Sequence, residues 1–549
     1  MNPYKGMSYG PALDYMAEQF GDREALVFED RRMSFTEVRA EIDRASARLG
    51  RLGLVRGDKV AIWMPNRPEF IWYWLGAAQI GIVPVVLNTR LALDEAAYQI
   101  DQSESVAAIV PGDGAFHDFV GDLIRLCPEL CDGPLGVNGG ERLPKLRHVV
   151  ALDPVKGDAA GIERWTDSVA PELAVPPLVT DPDAPGMIAY SSGTTALPKG
   201  AMLNHAGFRK AWDHGERFEQ TADDRLYLSV PLFGILANIN GVLTCWSRGS
   251  CVVLERRFDA GRAIEIIERE RCTMAYLFPI MIEQVLGHPD YRPDRIRSLR
   301  TGIVVGTDTE VMRRVAEDLD MPGYFTSYGM TETSSAVTRC YSTDAPEVRQ
   351  TTHGKPLPDI EVSIRDIDTG AELAAGEEGE ICVRGYSIMI GYYNKPEETA
   401  AVFTDDGFFR TGDLGYMTPT GYMVFLRRIK DGYKHKGFNV STPEVEKAIA
   451  DHPDVAEAAV VGLPDRLAGE IGVAFIIPRE GRRVDASALR SFLKPRLASY
   501  KLPAHVFEVE DFPLTAGTSK VRKFKLRDMA IEALKERAEK VPVRDGTAN

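Results

Sequence analysis

The sequence predicts an α/β fold, with a large N-terminal domain of α/β sheets and a small β subdomain, followed by a small α+β C-terminal domain. From Met1 to about residue 420, helical patterns such as FTEVRAEIDRASARLGRLG alternate with β-rich runs such as VPVVLN and CVVLE. This alternation is typical of mainly parallel sheets flanked by helices. Between about residues 346 and 425, short β-like runs separated by turns, such as IEVSIRD and GEICVRG, indicate a β-barrel-like part of the first domain.

A second domain is predicted after the segment LRRIKDG, residues 426 to 432. PEVEKAIADH and DASALRSFLKPRLASY have the spacing of amphipathic helices, whereas VAEAAVVGL and IGVAFIIP are typical of strands. The remaining length suits a separate small domain. We therefore expect domain boundaries at 1–426 and 427–549.

One apolar run, FIWYWLGAAQIGIVPVVL at residues 70 to 87, resembles a membrane span in length. Gln79 lies inside it, and Gly81 and Pro84 interrupt a continuous helix. The pattern favours a buried helix that ends near Gly81, followed by a strand from Val83 to Leu87. We expect no membrane span.

Composition and charge exclude several classes of partner. The chain has 549 residues, 44% of them hydrophobic and 26% charged, and a net charge of −15 that argues against nucleic acids and anionic membranes. An anionic small substrate stays open, because local fields override the total charge.

The seven cysteines include no second pair to accompany Cys127 and Cys131, so neither a zinc site nor a disulfide framework is indicated. Without a signal sequence at the N-terminus, we expect a cytoplasmic protein with reduced thiols.

The stretch YSSGTTALPKG, residues 190 to 200, combines small residues, hydroxyls and one lysine. Such a loop is costly to order, and a ligand rich in acceptor oxygens offsets that cost. Backbone N–H groups of the glycine-rich turn, the hydroxyls and the Lys199 ammonium would together cradle phosphates. The loop is not a Walker A motif, because Gly200 follows Lys199. An ordinary surface turn is the alternative interpretation. The phosphate-binding candidates in this loop are Ser191, Ser192, Gly193, Thr194, Thr195 and Lys199.

This loop closely resembles the phosphate loop of the AMP-forming adenylating enzymes, which include acyl-CoA synthetases, firefly luciferase and peptide-synthetase adenylation domains. Further motifs of that superfamily follow in the same order over essentially the full chain: YGMTET at 328–333, RTGDLG at 410–415, YKHKGFNVSTPEVE at 433–446 and PLTAGTSKVRKFKLR at 513–527. The resemblance implies ATP, Mg²⁺ and coenzyme A as ligands, and a C-terminal domain that moves between two half-reactions about a hinge near Arg427.

The resemblance also implies roles for the nucleotide-binding residues. Tyr328 would stack on adenine, Thr331 would bind the α-phosphate, and Glu332 would ligate Mg²⁺. One carboxylate with phosphate oxygens and waters is a typical magnesium site. Asp413, expected in a tight turn, would accept hydrogen bonds from the ribose hydroxyls, and Arg428 would reach the ribose or a phosphate. A solvated loop carboxylate is the alternative for Glu332.

Other motif positions correspond to the coenzyme A site and the catalytic lysine. Lys436, Gly437 and Phe438 match residues that contact coenzyme A, with Lys430 and Lys434 nearby. A basic surface loop is the alternative there. Lys520 takes the place of the catalytic lysine, although a solvated run of charge would have the same composition. The catalytic set implied by the resemblance is Lys520, Lys199, Thr194 and Glu332; Lys520 and Gly306 also belong to its ATP/AMP-binding set.

The reaction implied is activation of a carboxylic acid to an acyl-adenylate, then transfer to coenzyme A. The substrate pocket would include Phe233, Gly234, Gly306 and Gly329. Gly234 stands where many members carry a histidine or an aromatic residue, which favours a wide passage and an apolar fatty, aryl or cyclic monocarboxylic acid. Other departures are Ala196 in place of glycine, Arg427 at the hinge and a lysine loop one residue longer. Transfer to a carrier protein, a non-catalytic nucleotide-binding relative and a homodimer all stay open.

Overall fold

The computed structural model describes residues 1–155, 159–165, 174–191, 197–304, 314–315, 317–319, 321, 323–367, 369–429, 432–513, 521 and 523–539. They form two compact units, of which the first holds the described residues within 1–191 and 199–429 and the second the remainder. The predicted boundary between 426 and 427 stays a prediction.

The strands of the first unit are β1 (Glu24–Phe28), β2 (Arg31–Ser34), β3 (Lys59–Ile62), β4 (Val83–Val86), β5 (Ser105–Val110), β6 (His148–Ala151), β7 (Ile162–Arg164), β8 (Pro185–Ser191), β9 (Lys199–Asn204), β10 (Arg225–Leu228), β11 (Cys251–Leu254), β12 (Met274–Leu277), β13 (Thr301–Val304), β14 (Gly323–Phe325), β15 (Ser327–Met330), β16 (Ser335–Arg339), β17 (Lys355–Pro356), β18 (Ile360–Arg365), β19 (Gly379–Gly385), β20 (Gly391–Tyr392), β21 (Phe409–Met417) and β22 (Met423–Arg428). The second unit contains β23 (Gly432–His435), β24 (Phe438–Ser441), β25 (Val455–Asp465), β26 (Gly469–Pro478) and β27 (His505–Glu508).

The α-helices of the first unit are α1 (Tyr9–Phe20), α2 (Phe35–Arg51), α3 (Pro68–Gln79), α4 (Leu93–Gln102), α5 (Phe119–Leu126), α6 (Gly207–Arg217), α7 (Ile235–Ala237), α8 (Thr244–Ser247), α9 (Ala260–Glu270), α10 (Pro279–Leu286), α11 (Pro293–Ile296), α12 (Pro346–Thr351) and α13 (Pro396–Ala400). A π-helix, Asn238–Leu243, joins α7 to α8. The second unit has α14 (Thr442–Ala450), α15 (Ala486–Leu493) and α16 (Lys523–Glu539). Short 3₁₀ turns occupy Pro128–Cys131, Gly136–Asn138, Thr331–Thr333 and Ser499–Lys501.

Two mainly parallel sheets form the framework of the first unit and confirm the predicted α/β class. One has the order β14-β13-β12-β10-β11-β1-β2 and the other β20-β9-β8-β4-β3-β5-β6-β7. Among the described strands, the antiparallel pairs of these sheets lie at one end of each, at β1–β2 and at β8–β9–β20. The region with short β-like runs forms the antiparallel sheet β18-β19-β21-β22, and β15-β16-β17 is a smaller antiparallel sheet.

The apolar run at 70–87 divides as the sequence predicts. Proline at the first position of α3 suits a helix start, and the helix ends at Gln79 before Gly81, whose φ is +81°. The following strand, β4, lies between β3 and β8 and is buried along its length. In the described part of the chain, we find no helix with the length and apolar character that a membrane crossing requires.

The second unit is a five-stranded sheet of order β24-β23-β26-β25, with β27 parallel to β26. Helix α14 packs on it through Val445 and Ile449, which belong to the same buried cluster as Val460 and Ile476. Asp485 accepts the N–H groups of Ser487 and Ala488 and begins α15, which ends at Leu493, earlier than the amphipathic pattern suggests. All seven cysteines are described and free, and only Cys131 is exposed.

Candidate active site

Several of the sequence-predicted site residues lie outside the described residues. These are Ser192, Gly193, Thr194, Thr195, Gly306, Lys430 and Lys520, together with the side chain of Ser191. Ala196 and the side chain of Arg427, two of the departures from the family pattern, also lie outside them. Their roles stay predictions. The other predicted residues occupy two groups of nucleotide-site candidates and three acyl-pocket positions in the first unit, and one hairpin in the second.

The first group is centred on Tyr392, which the sequence did not single out. Lys199 begins β9, where the predicted phosphate loop returns to the sheet, and Tyr392 on β20 pairs with Ala201 of β9. This register brings the Lys199 ammonium to 4.9 Å from the centroid of the Tyr392 ring, a cation–π distance. The Tyr392 hydroxyl donates to Glu332 Oε1 at 2.9 Å. Tyr392 therefore contacts both the predicted phosphate-binding lysine and the predicted metal ligand.

Glu332 lies in the 3₁₀ turn Thr331–Thr333 between β15 and β16, and its side chain is buried. Its backbone carbonyl accepts the Met389 N–H at 2.7 Å, so both its main chain and its side chain are held. Burial and the nearby Glu332 charge raise the pKa of Tyr392, which therefore stays a hydroxyl donor to the carboxylate. The solvated-loop alternative for Glu332 does not hold.

The second group joins Tyr328, Asp413 and Arg428. The Tyr328 hydroxyl donates to Asp413 Oδ2 at 2.9 Å, and Arg428 Nε lies 3.2 Å from Asp413 Oδ1. Asp413 and Arg428 are opposite each other in the β21–β22 register, which explains the ion pair. Burial and the Asp413 charge raise the pKa of Tyr328 well above its usual value. These three motif positions, separated along the chain, form one contact chain in the fold.

The expected tight turn at Asp413 is wrong. Asp413 lies within strand β21, where the pairing with β19 shifts register and leaves Thr411 to Asp413 as a bulge. Gly412 adopts a φ of +72° there, and the Asp413 N–H donates to Thr411 Oγ1. The glycine that suggested a turn therefore supplies the left-handed residue of a bulge, which directs the Asp413 carboxylate toward Tyr328 and Arg428.

Two of the described acyl-pocket candidates are glycines, and their surroundings differ. At Gly329 in β15, a Cβ would lie 2.2 Å from the Ser335 carbonyl oxygen, so any side chain would collide with β16. At Gly234, φ is −87°, and among the described residues a Cβ would meet only the Pro231 carbonyl oxygen, at 3.4 Å. Neither the backbone nor the packing of the described residues therefore requires glycine at 234. Phe233 beside it is half-buried and packs against the main core.

The predicted coenzyme A residues of the second unit form a β-hairpin. Lys436 and Gly437 link β23 to β24 with φ angles of +48° and +84°, the signature of a type I′ turn. The conformation of the turn therefore accounts for glycine at position 437. Lys434 and Lys436 are exposed, whereas the Phe438 ring stacks on Tyr500 with centroids 4.6 Å apart. Tyr500 is a partner that the local sequence gave no reason to select.

The structure also limits the alternatives to Lys520. Lys523, its neighbour in the basic run, lies 2.7 Å from Glu446 Oε1 and donates to Thr442 Oγ1 at 2.9 Å. Lys523 is thus engaged by α14 and is a structural residue of the second unit.

Comparisons with known proteins identify the family of the chain. The family model described as AMP-binding enzyme matches residues 13–393, and the model of its C-terminal domain matches residues 444–518. The chain is 34% identical over 538 residues to the putative acyl-CoA synthetase YngI of Bacillus subtilis, covering 95% of this chain and 97% of that protein. It is 30% identical over 534 residues to the mitochondrial medium-chain acyl-CoA ligase of Homo sapiens, covering 94% and 87%.

Solved structures show the same relationship. The o-succinylbenzoate CoA synthetase of Bacillus subtilis has a TM-score of 0.78 and 26% identity, with 94% of this chain and 98% of that one covered. The amide bond synthetase McbA of Marinactinospora thermotolerans has a TM-score of 0.81 and 27% identity, with coverage of 95% and 99%. The chain therefore belongs to the AMP-binding enzyme family, among the AMP-forming acyl-CoA synthetases of the adenylate-forming superfamily.

Proposed function

We propose that the protein joins an apolar fatty, aryl or cyclic monocarboxylic acid to coenzyme A at the expense of ATP, with the described residues of the first unit binding the nucleotide. The observation that carries this proposal is the contact chain Lys199–Tyr392–Glu332. The Lys199 ammonium and the buried Glu332 carboxylate both contact Tyr392, and Lys199 begins the strand that follows the predicted phosphate loop. The Tyr328–Asp413–Arg428 group supplies the complementary sugar site.

The sugar site depends on an ionised Asp413. Arg428 lies at ion-pair distance and favours the carboxylate form, and Tyr328 donates to one of its oxygens. An ionised carboxylate has about four lone-pair sites, so it retains capacity to accept hydrogen bonds from two vicinal hydroxyls. Ribose is the part of ATP that presents such a pair.

The phosphates would be bound by Lys199, Thr331 and the loop at 191–195. Glu332 fits a magnesium ligand, because it is a buried carboxylate oriented by one tyrosine hydroxyl, and Mg²⁺ prefers one or two carboxylates together with phosphate oxygens and waters. When bound, the ion would neutralise phosphate charge. Lys199, over the Tyr392 ring, would do the same. No protein nucleophile is required.

The chemistry takes two displacements. A carboxylate oxygen of the acid attacks the α-phosphorus of ATP, and the bond to the bridging oxygen breaks to release pyrophosphate. The thiolate of coenzyme A then attacks the acyl carbon of the mixed anhydride, and AMP leaves with the bonding electrons. Positioning and charge neutralisation are the main contributions a protein makes to such steps. Lys520 would neutralise the carboxylate and α-phosphate during the first.

The hairpin of the second unit would bind coenzyme A. Lys434 and Lys436 are exposed cations that suit its phosphates, and stacking on Tyr500 fixes the Phe438 ring. Lys430 would add to this charge. The acid class rests on Gly234, where a side chain would fit but is missing, and on relatives named for medium-chain and aromatic acids.

The test is a panel of acids assayed for pyrophosphate release with ATP and Mg²⁺, with and without coenzyme A. We expect release with apolar C6 or larger acids, AMP rather than ADP as the second product, and thioester only when coenzyme A is present. Glu332→Gln and Asp413→Asn should each lower pyrophosphate release. Nucleotide binding without release on any acid would support a non-catalytic relative instead, and product only with an amine or a carrier protein would overturn the acceptor.

A further inference from the structure

Lys210 is a lysine of α6 whose side chain is completely buried beneath the turn that carries Glu332. Its ammonium donates to the carbonyl oxygen of Thr333, to that of Ser335 at 3.3 Å and to Ser387 Oγ at 3.0 Å. The first two acceptors lie one and three residues after Glu332 in the chain. The third belongs to the segment that leads to Tyr392.

The described residues give Lys210 no close counter-charge, because no carboxylate among them lies at ion-pair distance from its side-chain nitrogen. The Asp213 charge acts on Lys210 from further away and favours its charged form. The Asp213 oxygens accept from Asn2 Nδ2 at 3.0 Å and from the Tyr386 hydroxyl at 3.2 Å. Burial and the positive charge of Arg339 lower the pKa of Lys210 well below its usual value. A buried lysine without an ion-pair partner is less favourable for folding than an apolar side chain of equal length. What Lys210 offers and an apolar side chain cannot is its set of hydrogen bonds.

The backbone that Lys210 binds is unusual. Ser334 and Ser335, two consecutive residues that are not glycine, have φ angles of +50° and +82°. Such conformations persist only where neighbouring contacts over-determine them. Lys210 bonds the carbonyls of Thr333 and Ser335, on either side of Ser334, and so fixes the turn from beneath.

Lys210 also links the Thr331–Ser335 turn to the segment from Ser387 to Tyr392, which contacts Glu332. Ser387, which accepts a hydrogen bond from Lys210, lies two residues before Met389, whose N–H donates to the Glu332 carbonyl at 2.7 Å. Tyr392, three residues further along, donates to the Glu332 carboxylate. Lys210 therefore connects both segments whose relative placement sets the direction of the Glu332 carboxylate.

We propose that Lys210 is a positioning residue for adenylation, which acts through Glu332 without contacting a substrate. The proposal rests on the proposed role of Glu332 as the magnesium ligand. Removal of the amine should let the Thr331–Ser335 turn relax and displace the carboxylate, so the requirement for Mg²⁺ should rise.

The test uses Lys210→Met, which keeps the length of the side chain but cannot donate, and Lys210→Gln, which still donates. Two quantities are measured: the Mg²⁺ concentration that gives half-maximal pyrophosphate release, and the Mg²⁺-dependent affinity for a non-hydrolysable ATP analogue by calorimetry. For Lys210→Met we expect an increase of about tenfold in the first and a matching loss in the second, the size expected when a buried hydrogen bond is lost and its acceptor is left unsatisfied. Lys210→Gln should recover part of both, and thioester formation from supplied acyl-adenylate should change less.

Ser387→Ala removes one acceptor from the same nitrogen, together with the long hydrogen bond from Ser387 Oγ to the Thr333 carbonyl at 3.4 Å, and we expect a smaller change in the same direction. This variant tests the same link between the two segments if Lys210→Met fails to fold. In the double variant with Glu332→Gln, Lys210→Met should add no further change to the Mg²⁺ requirement. An unchanged Mg²⁺ requirement in Lys210→Met or in Ser387→Ala, where Glu332→Gln alters it, would overturn the positioning role. An unchanged requirement in Glu332→Gln itself would instead remove the proposed metal role.

Discussion

The hydroxyl of Tyr392 offers a direct test of the site, because Tyr392→Phe removes one oxygen and keeps the ring. The lost contact is the 2.9 Å hydrogen bond to Glu332 Oε1. Hydrogen bonds to charged groups contribute about 1.5–3 kcal/mol, and the loss leaves a buried carboxylate with one donor fewer. Since about 1.4 kcal/mol corresponds to a tenfold change, kcat/KM for adenylation should fall about 10- to 100-fold.

Tyr392→Leu separates the hydroxyl from the ring. It also removes the aromatic face that lies 4.9 Å from the Lys199 ammonium. A cation–π contact contributes about 0.5–1 kcal/mol at exposed sites and more when desolvated, so a further loss of a few-fold in kcat/KM is expected. The assay is isotope exchange between ATP and pyrophosphate at saturating acid, with thermal melting of each variant.

The neighbouring residue provides the matched control. Tyr393 also donates its hydroxyl to a glutamate, Glu104, at 2.5 Å, but that glutamate belongs to the turn before β5 and not to the site. Tyr393→Phe should therefore leave adenylation within about twofold of the wild type, as expected for a change outside the reacting groups. Equal kinetics for Tyr392→Phe and Tyr393→Phe would refute the assignment of the Tyr392–Glu332 contact to the site.

Three further outcomes are expected. Lys520→Ala should largely abolish acyl-adenylate formation and spare thioester formation from supplied acyl-adenylate; equal loss of both half-reactions, measured separately, would contradict the role of Lys520. Gly437→Trp should lower thioester formation far more than pyrophosphate release, whereas Gly437→Asn, which tolerates the left-handed turn, should retain most of both; equal effects of the two variants would point to the turn conformation rather than to bulk. Gly234→Trp should reduce kcat/KM selectively for aryl and polycyclic acids over short straight-chain acids, and a uniform loss across the acid panel, or a wild type that prefers acetate, would be evidence against the wide passage.

The sequence predicted the parts of the site that short motifs encode. Tyr328, Glu332 and Asp413 were named because their motifs resemble those of the adenylating enzymes, and the structure brings each of them into a hydrogen bond with another buried side chain. Their roles toward ATP and Mg²⁺ stay predictions. The α/β class followed from the alternation of helical and strand patterns, because burial imposes those periods on each element separately. Local sequence was therefore sufficient to predict elements whose structure depends on neighbouring residues in the chain.

Long-range packing produced what the sequence reasoning missed. Tyr392 reaches Glu332 because β20 pairs with β9 in one register, and Lys210 reaches Thr333 because α6 packs beneath β16. Neither pairing is encoded next to the residues involved. The bulge at Asp413 was predicted as a turn for a related reason: a positive-φ glycine serves both, and only the strand pairing on either side distinguishes them.

The contacts of Glu332 also indicate how the site resists distortion. Its carboxylate, its carbonyl and the turn that follows it are held by Tyr392, Met389 and Lys210 respectively. Two positive-φ serines in that turn cost about 1–3 kcal/mol each, a strain that a single neutral hydrogen bond of about 1 kcal/mol would not offset. Several attachments between the same two segments can together offset it. Contacts within the first unit therefore set the direction of the carboxylate, and such preorganisation is the condition under which charge stabilisation contributes most to a displacement at phosphorus.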